Sequence, residues 1–167
     1  NITHIRNATQ IIEYAGKKFL IDPMLADKAA WPGFAGTARS ELRNPLVALP
    51  LPLSAIIDVD AVIVTHTHED HWDAAAIAAI PKALPVFVQH DADARLLRGQ
   101  GFSDIRLLSE SSEFAGVALL KTTSGQHGSD RTYAVPAMAE RLGEACGVVL
   151  RHPQEKTLWL VGDTIWR

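Results

Sequence analysis

The sequence is most restrictive in what it lacks. It has one cysteine in 167 residues, which excludes an internal disulfide framework and favours a reducing cytoplasm. The formal net charge is −3 and there is no long basic run, so neither nucleic acid nor an anionic membrane surface is an expected partner. Apolar stretches such as residues 74–80 are far shorter than the ~20 residues that cross a bilayer. The expected partner is a small molecule, and homo-oligomerisation is left open.

What is present is the composition of an ordinary globular domain. Hydrophobic residues make up 47% of the chain and charged residues 21%, which is enough apolar material for a sizeable core. The length favours a single domain over residues 1–167. Residue 1 is Asn rather than Met, so we expect a processed or partial chain.

Strand and helix patterns alternate through the middle of the sequence. A hairpin turn is predicted at Gly16 and Lys17, and Asp73 is a good N-cap for a helix over residues 74–80. The predicted strands cover residues 2–5, 10–14, 18–21, 61–64, 85–88, 104–108, 117–122, 147–151 and 157–161, and a further helix covers residues 92–98. Strand–helix–strand alternation implies crossover connections and therefore an α/β fold.

Residues 26–54 show no such period, because prolines and glycines interrupt them throughout. Long loops of this kind are often active-site lids, and a simple connector is the equal alternative. Trp31 and Phe34 are expected to pin the loop to the core, with the lining of a substrate pocket as the alternative.

The densest chemistry lies in residues 66–71, His-Thr-His-Glu-Asp-His, directly after the apolar run 61–64. Imidazole and carboxylate groups suit zinc and its first-row neighbours. His66 and His68 are two residues apart, so on an extended backbone they point the same way and can bind one ion. Asp70 and His71 follow a turn and face a second position.

Two further ligand-type residues also follow apolar strands. His127 comes after the predicted strand 117–122, and Asp163 comes after the predicted strand 157–161. Because sites in open α/β sheets form beyond the carboxyl ends of strands, we expect His127 to complete the first ion's ligands and Asp163 to bridge two ions. The predicted metal ligands are His66, His68, Asp70, His71, His127 and Asp163.

These motifs together resemble the metallo-β-lactamase superfamily, and within it the ascorbate-6-phosphate-lactonase-like hydrolases. The resemblance covers most of the chain. The His-x-His-x-Asp-His motif is specific, whereas the others gain weight only from their order and spacing. The four matching segments are Ile21-Asp22-Pro23, residues 65–73, residues 123–128 and residues 160–164.

The resemblance implies an αββα sandwich, an α/β (α+β) fold built from two halves. It also implies a metal-dependent hydrolase in which a metal-bound hydroxide attacks an ester or a lactone, such as that of a phosphorylated sugar acid. Two zinc ions are the implied cofactors, and manganese is the alternative. Asp70 is the implied catalytic residue, because it would hold one ion and orient the nucleophile.

Members of this family run well beyond the Gly-Asp-Thr segment and carry one more histidine ligand near the C-terminus. No histidine follows Asp163 in this sequence. We therefore expect part of the C-terminal half of the sandwich to be missing.

Two other functions remain open, a phosphodiesterase of the same superfamily and a metal-binding domain without catalysis. The buried, inert residue expected near the end of the chain is Cys146. Three arginines are candidates for binding an anionic substrate: Arg39, Arg43 and Arg131. Three histidines outside the motifs are expected to be structural: His4, His90 and His152.

Overall fold

A six-stranded sheet begins with two hairpins and continues with parallel strands. The computed structural model describes residues 1–33, 35, 36 and 38–165, without the side chains of Thr123 and Ser124. The expectation for Phe34 therefore lies outside the described residues. The strands, in their order across the sheet, are β1 (Ile2–Arg6), β2 (Thr9–Tyr14), β3 (Lys17–Ile21), β4 (Ala61–Val64), β5 (Val86–Val88) and β6 (Ile105–Leu107). β1 to β3 pair antiparallel, and β3 to β6 pair parallel.

Three helices connect the parallel strands: α1 (Leu53–Ile56), α2 (Ala74–Ala79) and α3 (Asp91–Gly99). The predicted cap at Asp73 is present, since its carboxylate accepts a hydrogen bond from the Ala76 amide at 2.7 Å. His90 caps α3 in the same way, with its ring nitrogen accepting from the Asp93 amide at 3.3 Å. This contact gives His90 a structural role, as expected from the sequence.

A second, antiparallel sheet packs against the first. Its strands, in chain order, are β7 (Glu113–Phe114), β8 (Val117–Gly125), β9 (Ala145–Arg151) and β10 (Leu158–Leu160). Two further helices, α4 (Asp130–Tyr133) and α5 (Pro136–Leu142), lie between β8 and β9. The α/β sandwich predicted from the sequence is confirmed.

The central strand β4 contributes to two separate cores. Val62 and Val64 pack among the apolar side chains of the helices, whereas Ala61 and Ile63 pack among side chains of the second sheet. All four residues of β4 are fully buried. A strand that is covered on both faces has a continuous apolar sequence. The end of this buried run therefore marks where β4 ends and the ligand motif begins.

The structure differs from the sequence-based expectation between residues 123 and 142. β8 continues through Gly125, so the loop predicted at residues 123–128 begins later. The helices α4 and α5 were not predicted. Neither of them buries a residue, so no apolar period marks them in the sequence. In the described part of the chain, no helix is long and apolar enough to cross a membrane.

Two neighbouring leucines of α3 test the assignment of the core between the helices and the first sheet, to which Val62 and Val64 belong. Leu97 is fully buried, whereas Leu96 is 46% exposed. We expect Leu97→Ala to lower the free energy of unfolding by about 3 kcal/mol, because it removes buried methyl groups and leaves a cavity. Leu96→Ala should change it by less than about 0.5 kcal/mol. Urea denaturation of both variants measures the difference, and equal losses would contradict the assignment.

Candidate metal centre

The ligand motif forms a tight turn at the carboxyl end of β4. The amides of His71 and Trp72 both donate to the His68 carbonyl, at 2.9 and 2.8 Å. This turn folds the motif back on itself, so its side chains converge. His66 and His71 are almost completely buried, and His68 is partly buried.

The first group of converging ligand atoms comes from His66, His68 and His127. Their ring nitrogens all lie within 4.8 Å of one another, and the Nε2 atoms of His66 and His127 are 3.1 Å apart. His127 follows β8 on the second sheet, 61 residues from His66 in sequence. The structure therefore brings together the three residues that the sequence predicts for the first ion.

The second group consists of His66, His71 and Asp163, again within 4.8 Å of one another. The Asp163 Oδ2 atom lies 3.3 Å from His71 Nε2 and 3.7 Å from His127 Nε2. Asp163 thus belongs to the second group and lies near a ligand of the first, and the bridging role that the sequence predicts for it stays a prediction. Asp70 belongs to neither group, but its Oδ2 atom is 3.8 Å from His71 Nε2.

Asp22, directly after β3, orients both ends of the ligand motif. This buried carboxylate accepts hydrogen bonds from the Thr65 amide at 2.7 Å and the Thr65 hydroxyl at 2.8 Å. Its Oδ2 atom is also 3.0 Å from His71 Nδ1. A carboxylate behind a ligating histidine fixes the ring and leaves the other nitrogen for a metal.

Hydrogen bonds on the far side of the other rings have the same effect. Because the Thr65 hydroxyl donates to Asp22, it accepts from His66 Nδ1 at 3.1 Å. The Tyr133 hydroxyl donates to the Gly143 carbonyl at 3.0 Å and accepts from His127 Nδ1 at 3.4 Å. We assign the tautomers from these contacts. They place the Nε2 lone pairs of His66 and His127 towards each other.

Burial keeps two of these imidazoles neutral. It lowers the pKa of His66 to about 2, with the nearby charges of His71, His68 and His127 acting in the same direction. Burial also lowers the pKa of His127. Both rings therefore retain a free lone pair at neutral pH, which is the form that binds a metal.

His71 and Asp163 form the charged part of the centre. Burial by itself would lower the pKa of His71, but hydrogen bonds with Asp163 and Asp22 outweigh it and raise the value to about 10. The same hydrogen bond from His71 lowers the pKa of Asp163 to about 2. Without an ion the two residues are an imidazolium–carboxylate pair, so a metal that binds both displaces a proton.

A glycine places Asp163 at the centre. Gly162 has a φ of +75°, and a Cβ atom there would lie 2.3 Å from the Cys146 carbonyl oxygen. This left-handed conformation suits glycine. It lets the chain leave β10 close against β9, which brings the next residue beside His71.

Two of the orienting residues were not predicted from the sequence. Asp22 had a detectable signal, because it follows an apolar strand as the predicted ligands do. Tyr133 had none, since it lies in a short helix without an apolar face. Cys146 is buried, as expected, and burial raises the pKa of its thiol to about 12.

The donor set fits a divalent first-row ion. Two neutral nitrogens that face each other at 3.1 Å repel unless a cation lies between them. Three imidazoles, or two imidazoles with a carboxylate, are ligand sets of the kind that zinc uses in catalytic sites. In the described part of the chain, the residues that would hold such ions are His66, His68 and His127 for the first, and His66, His71 and Asp163 for the second.

Comparison with known proteins finds similarity over almost the whole chain. A family model described as "Beta-lactamase superfamily domain" matches residues 17–165. The UPF0173 protein YddR of Bacillus subtilis (strain 168) is 47% identical over 99% of this chain and 63% of its own length.

Two solved structures cover nearly the whole chain. An isothiocyanate hydrolase from Delia radicum gut bacteria has 54% sequence identity and a TM-score of 0.94, over 99% of this chain and 64% of that protein. A possible metal-dependent hydrolase from Veillonella parvula DSM 2008 has 50% identity and a TM-score of 0.95, over 99% and 63%. The chain thus spans a little under two thirds of the length of these relatives.

The role of Asp22 can be measured through metal affinity. We expect Asp22→Asn to weaken zinc binding by about 10- to 100-fold, because its single amide oxygen cannot accept both from the Thr65 amide on one side and from the Thr65 hydroxyl and His71 on the other. Competition with a chelating dye measures the affinity. Asp104→Asn is the control, since Asp104 pairs only with the exposed Arg106 in the structure. Zinc affinity within twofold of wild type, in a folded Asp22→Asn protein, would contradict this role.

Tyr133 offers an independent test with a matched control. Tyr133→Phe removes the acceptor behind His127 and should weaken zinc binding by about tenfold. The chain has only one other tyrosine, Tyr14, whose hydroxyl donates to the carbonyls of Leu150 and Lys156. Tyr14→Phe should lower the melting temperature without changing the affinity for zinc. If both variants bound zinc alike, Tyr133 would not position His127.

Proposed function

This chain belongs to the metallo-β-lactamase superfamily, and from that membership we propose that it is a metal-dependent hydrolase of isothiocyanates. The observation that carries the proposal is the convergence of four imidazoles and Asp163 on one largely buried centre. Zinc is the proposed metal. Because the chain is shorter than its relatives, this activity is proposed for the protein to which the chain corresponds.

A bound divalent ion would lower the pKa of a water molecule and polarise the bond to be cleaved. The residues of the chain supply the rest. Asp22, Thr65 and Tyr133 hold the imidazoles in one tautomer, and the β4 core excludes water beneath them. Asp70 lies at the edge of the centre and lines a cavity that opens towards solvent. Its carboxylate is placed to accept a hydrogen bond from an attacking water and orient it.

An isothiocyanate suits this arrangement because its central carbon is electrophilic. The oxygen of water forms a bond to that carbon, and the nitrogen takes up a proton, which gives a thiocarbamate. The C–N bond of the thiocarbamate then breaks as the nitrogen takes up the second proton of the water, which releases an amine and carbonyl sulfide. The 54% identity to an isothiocyanate hydrolase favours this substrate over the ester or lactone expected from the sequence.

The decisive experiment compares substrate classes on one metal-loaded preparation. We expect hydrolysis of phenyl isothiocyanate, followed by the release of aniline, and weaker or no hydrolysis of a lactone and of a phosphodiester. Chelation should abolish the activity, and added zinc should restore it. Exclusive turnover of the lactone or the phosphodiester would reject isothiocyanates in favour of that class.

Histidine variants connect the activity to the centre. His66→Ala should lower kcat/KM by about 100-fold or more, because it removes a ligand shared by both groups. His4→Ala is the control, since His4 is exposed and contacts the Asn7 carbonyl. Tightly bound metal without hydrolysis of any class would instead support a non-catalytic domain.

A further inference from the structure

The long loop after β3 is a fixed part of the structure. Arg6 is only 2% exposed and donates to the carbonyls of Met24 and Val47, each at 3.0 Å, and to that of Ala26. One buried guanidinium therefore holds both ends of the loop to β1. The sequence leaves two equal alternatives for this loop, an active-site lid and a simple connector. The residues that the loop faces distinguish between them.

The interior of the loop is also cross-linked. Trp31 and Asn44 form a two-residue antiparallel bridge, with N–H to carbonyl distances of 2.7 and 2.9 Å. Arg43 donates to the carbonyls of Ala29 and Ala30, at 2.8 and 3.0 Å. Its guanidinium is thus engaged within the loop. The bridge fixes the backbone positions of Trp31 and Asn44, and both residues line one cavity.

The cavity lined by those two residues has a volume of about 260 Å³ and lies next to the metal centre. Trp31 and Pro32 contribute apolar surface to its lining, and Glu69 and Asp70 of the ligand motif contribute carboxylates. The Trp31 Nε1 atom is buried, and none of the described residues forms a hydrogen bond with it. A buried donor without a partner costs stability, so packing alone does not account for the position of this indole.

Among the described residues, one arginine lines the cavity, Arg141. It lies in the last turn of α5 and is exposed. Within the described part of the chain, no ion pair or hydrogen bond engages its guanidinium. A guanidinium pairs with a carboxylate through two parallel hydrogen bonds. Arg141 can therefore donate hydrogen bonds to an anionic group that enters this cavity.

We propose that this cavity holds the organic part of the substrate, with an aromatic group on Trp31 and a carboxylate at Arg141. The preferred substrates are then small aromatic electrophiles that carry a negative charge. The identity of the electrophilic group rests on the proposed function, whereas recognition of the aromatic carboxylate does not. Glu69 and Asp70 line the same cavity and both oppose the anion, so they limit the preference that Arg141 creates.

The test compares phenyl isothiocyanate with 4-isothiocyanatobenzoate, which differ only in a carboxylate. Arg141→Met should raise KM for the anionic substrate about five- to tenfold and leave the neutral one within twofold. Glu69→Gln should lower KM for the anionic substrate. Arg131→Met is the matched control, because Arg131 is an exposed arginine of α4 that does not line this cavity. Parallel changes for both substrates in Arg141→Met would overturn the proposal.

A binding measurement keeps the proposal independent of turnover. Benzoate titrated into the zinc-loaded protein should quench tryptophan fluorescence, and Trp31→Phe should remove most of that change. Arg141→Met should weaken benzoate binding about fivefold or more. If neither isothiocyanate were hydrolysed, the proposed function would fail. Benzoate binding would still test whether the cavity recognises an aromatic carboxylate. Benzoate affinity unchanged by Arg141→Met would overturn the proposal.

Discussion

The arrangement of the centre depends on one buried carboxylate. Asp22 ends β3 and contacts the start and the end of the ligand motif through Thr65 and His71. A charge in the interior is tolerated only when several donors satisfy it, and here three donors do so. The same contacts therefore stabilise Asp22 and orient the imidazoles, so the fold and the metal centre share a single requirement.

The metal centre brings together residues from two sheets that are distant in sequence. His66 and His71 follow strand β4 of the first sheet, whereas His127 and Asp163 follow strands β8 and β10 of the second. Each sheet is apolar on the face that meets the other, so their packing is set by burial rather than by the ligands. Packing brings the carboxyl ends of β4, β8 and β10 together, and the hydrogen bonds behind each ring then choose which nitrogen faces inward.

The predictable part of this structure is the part with a local signal. The turn at residues 66–71 follows a fully buried strand, and the rule that sites lie at strand ends also located His127 and Asp163. Tyr133 and Arg141 were not predicted from the sequence, because their helices bury no residue and show no apolar periodicity. Their functions depend on which loops meet across the centre, and one sequence carries no local record of such contacts.

In the proposed function, the residues that orient the metal ligands are distinct from those that would contact the substrate. The residues that orient the imidazoles lie beneath the centre and are buried or partly buried, whereas Trp31 and Arg141 lie on loops and helices beside it. Buried hydrogen-bonded groups tolerate little change, because each substitution leaves a partner unsatisfied. Exposed groups at a cavity can change with a small effect on stability. Relatives with the same ligands can therefore differ in substrate, and the difference would lie in the wall formed by the long loop and α5.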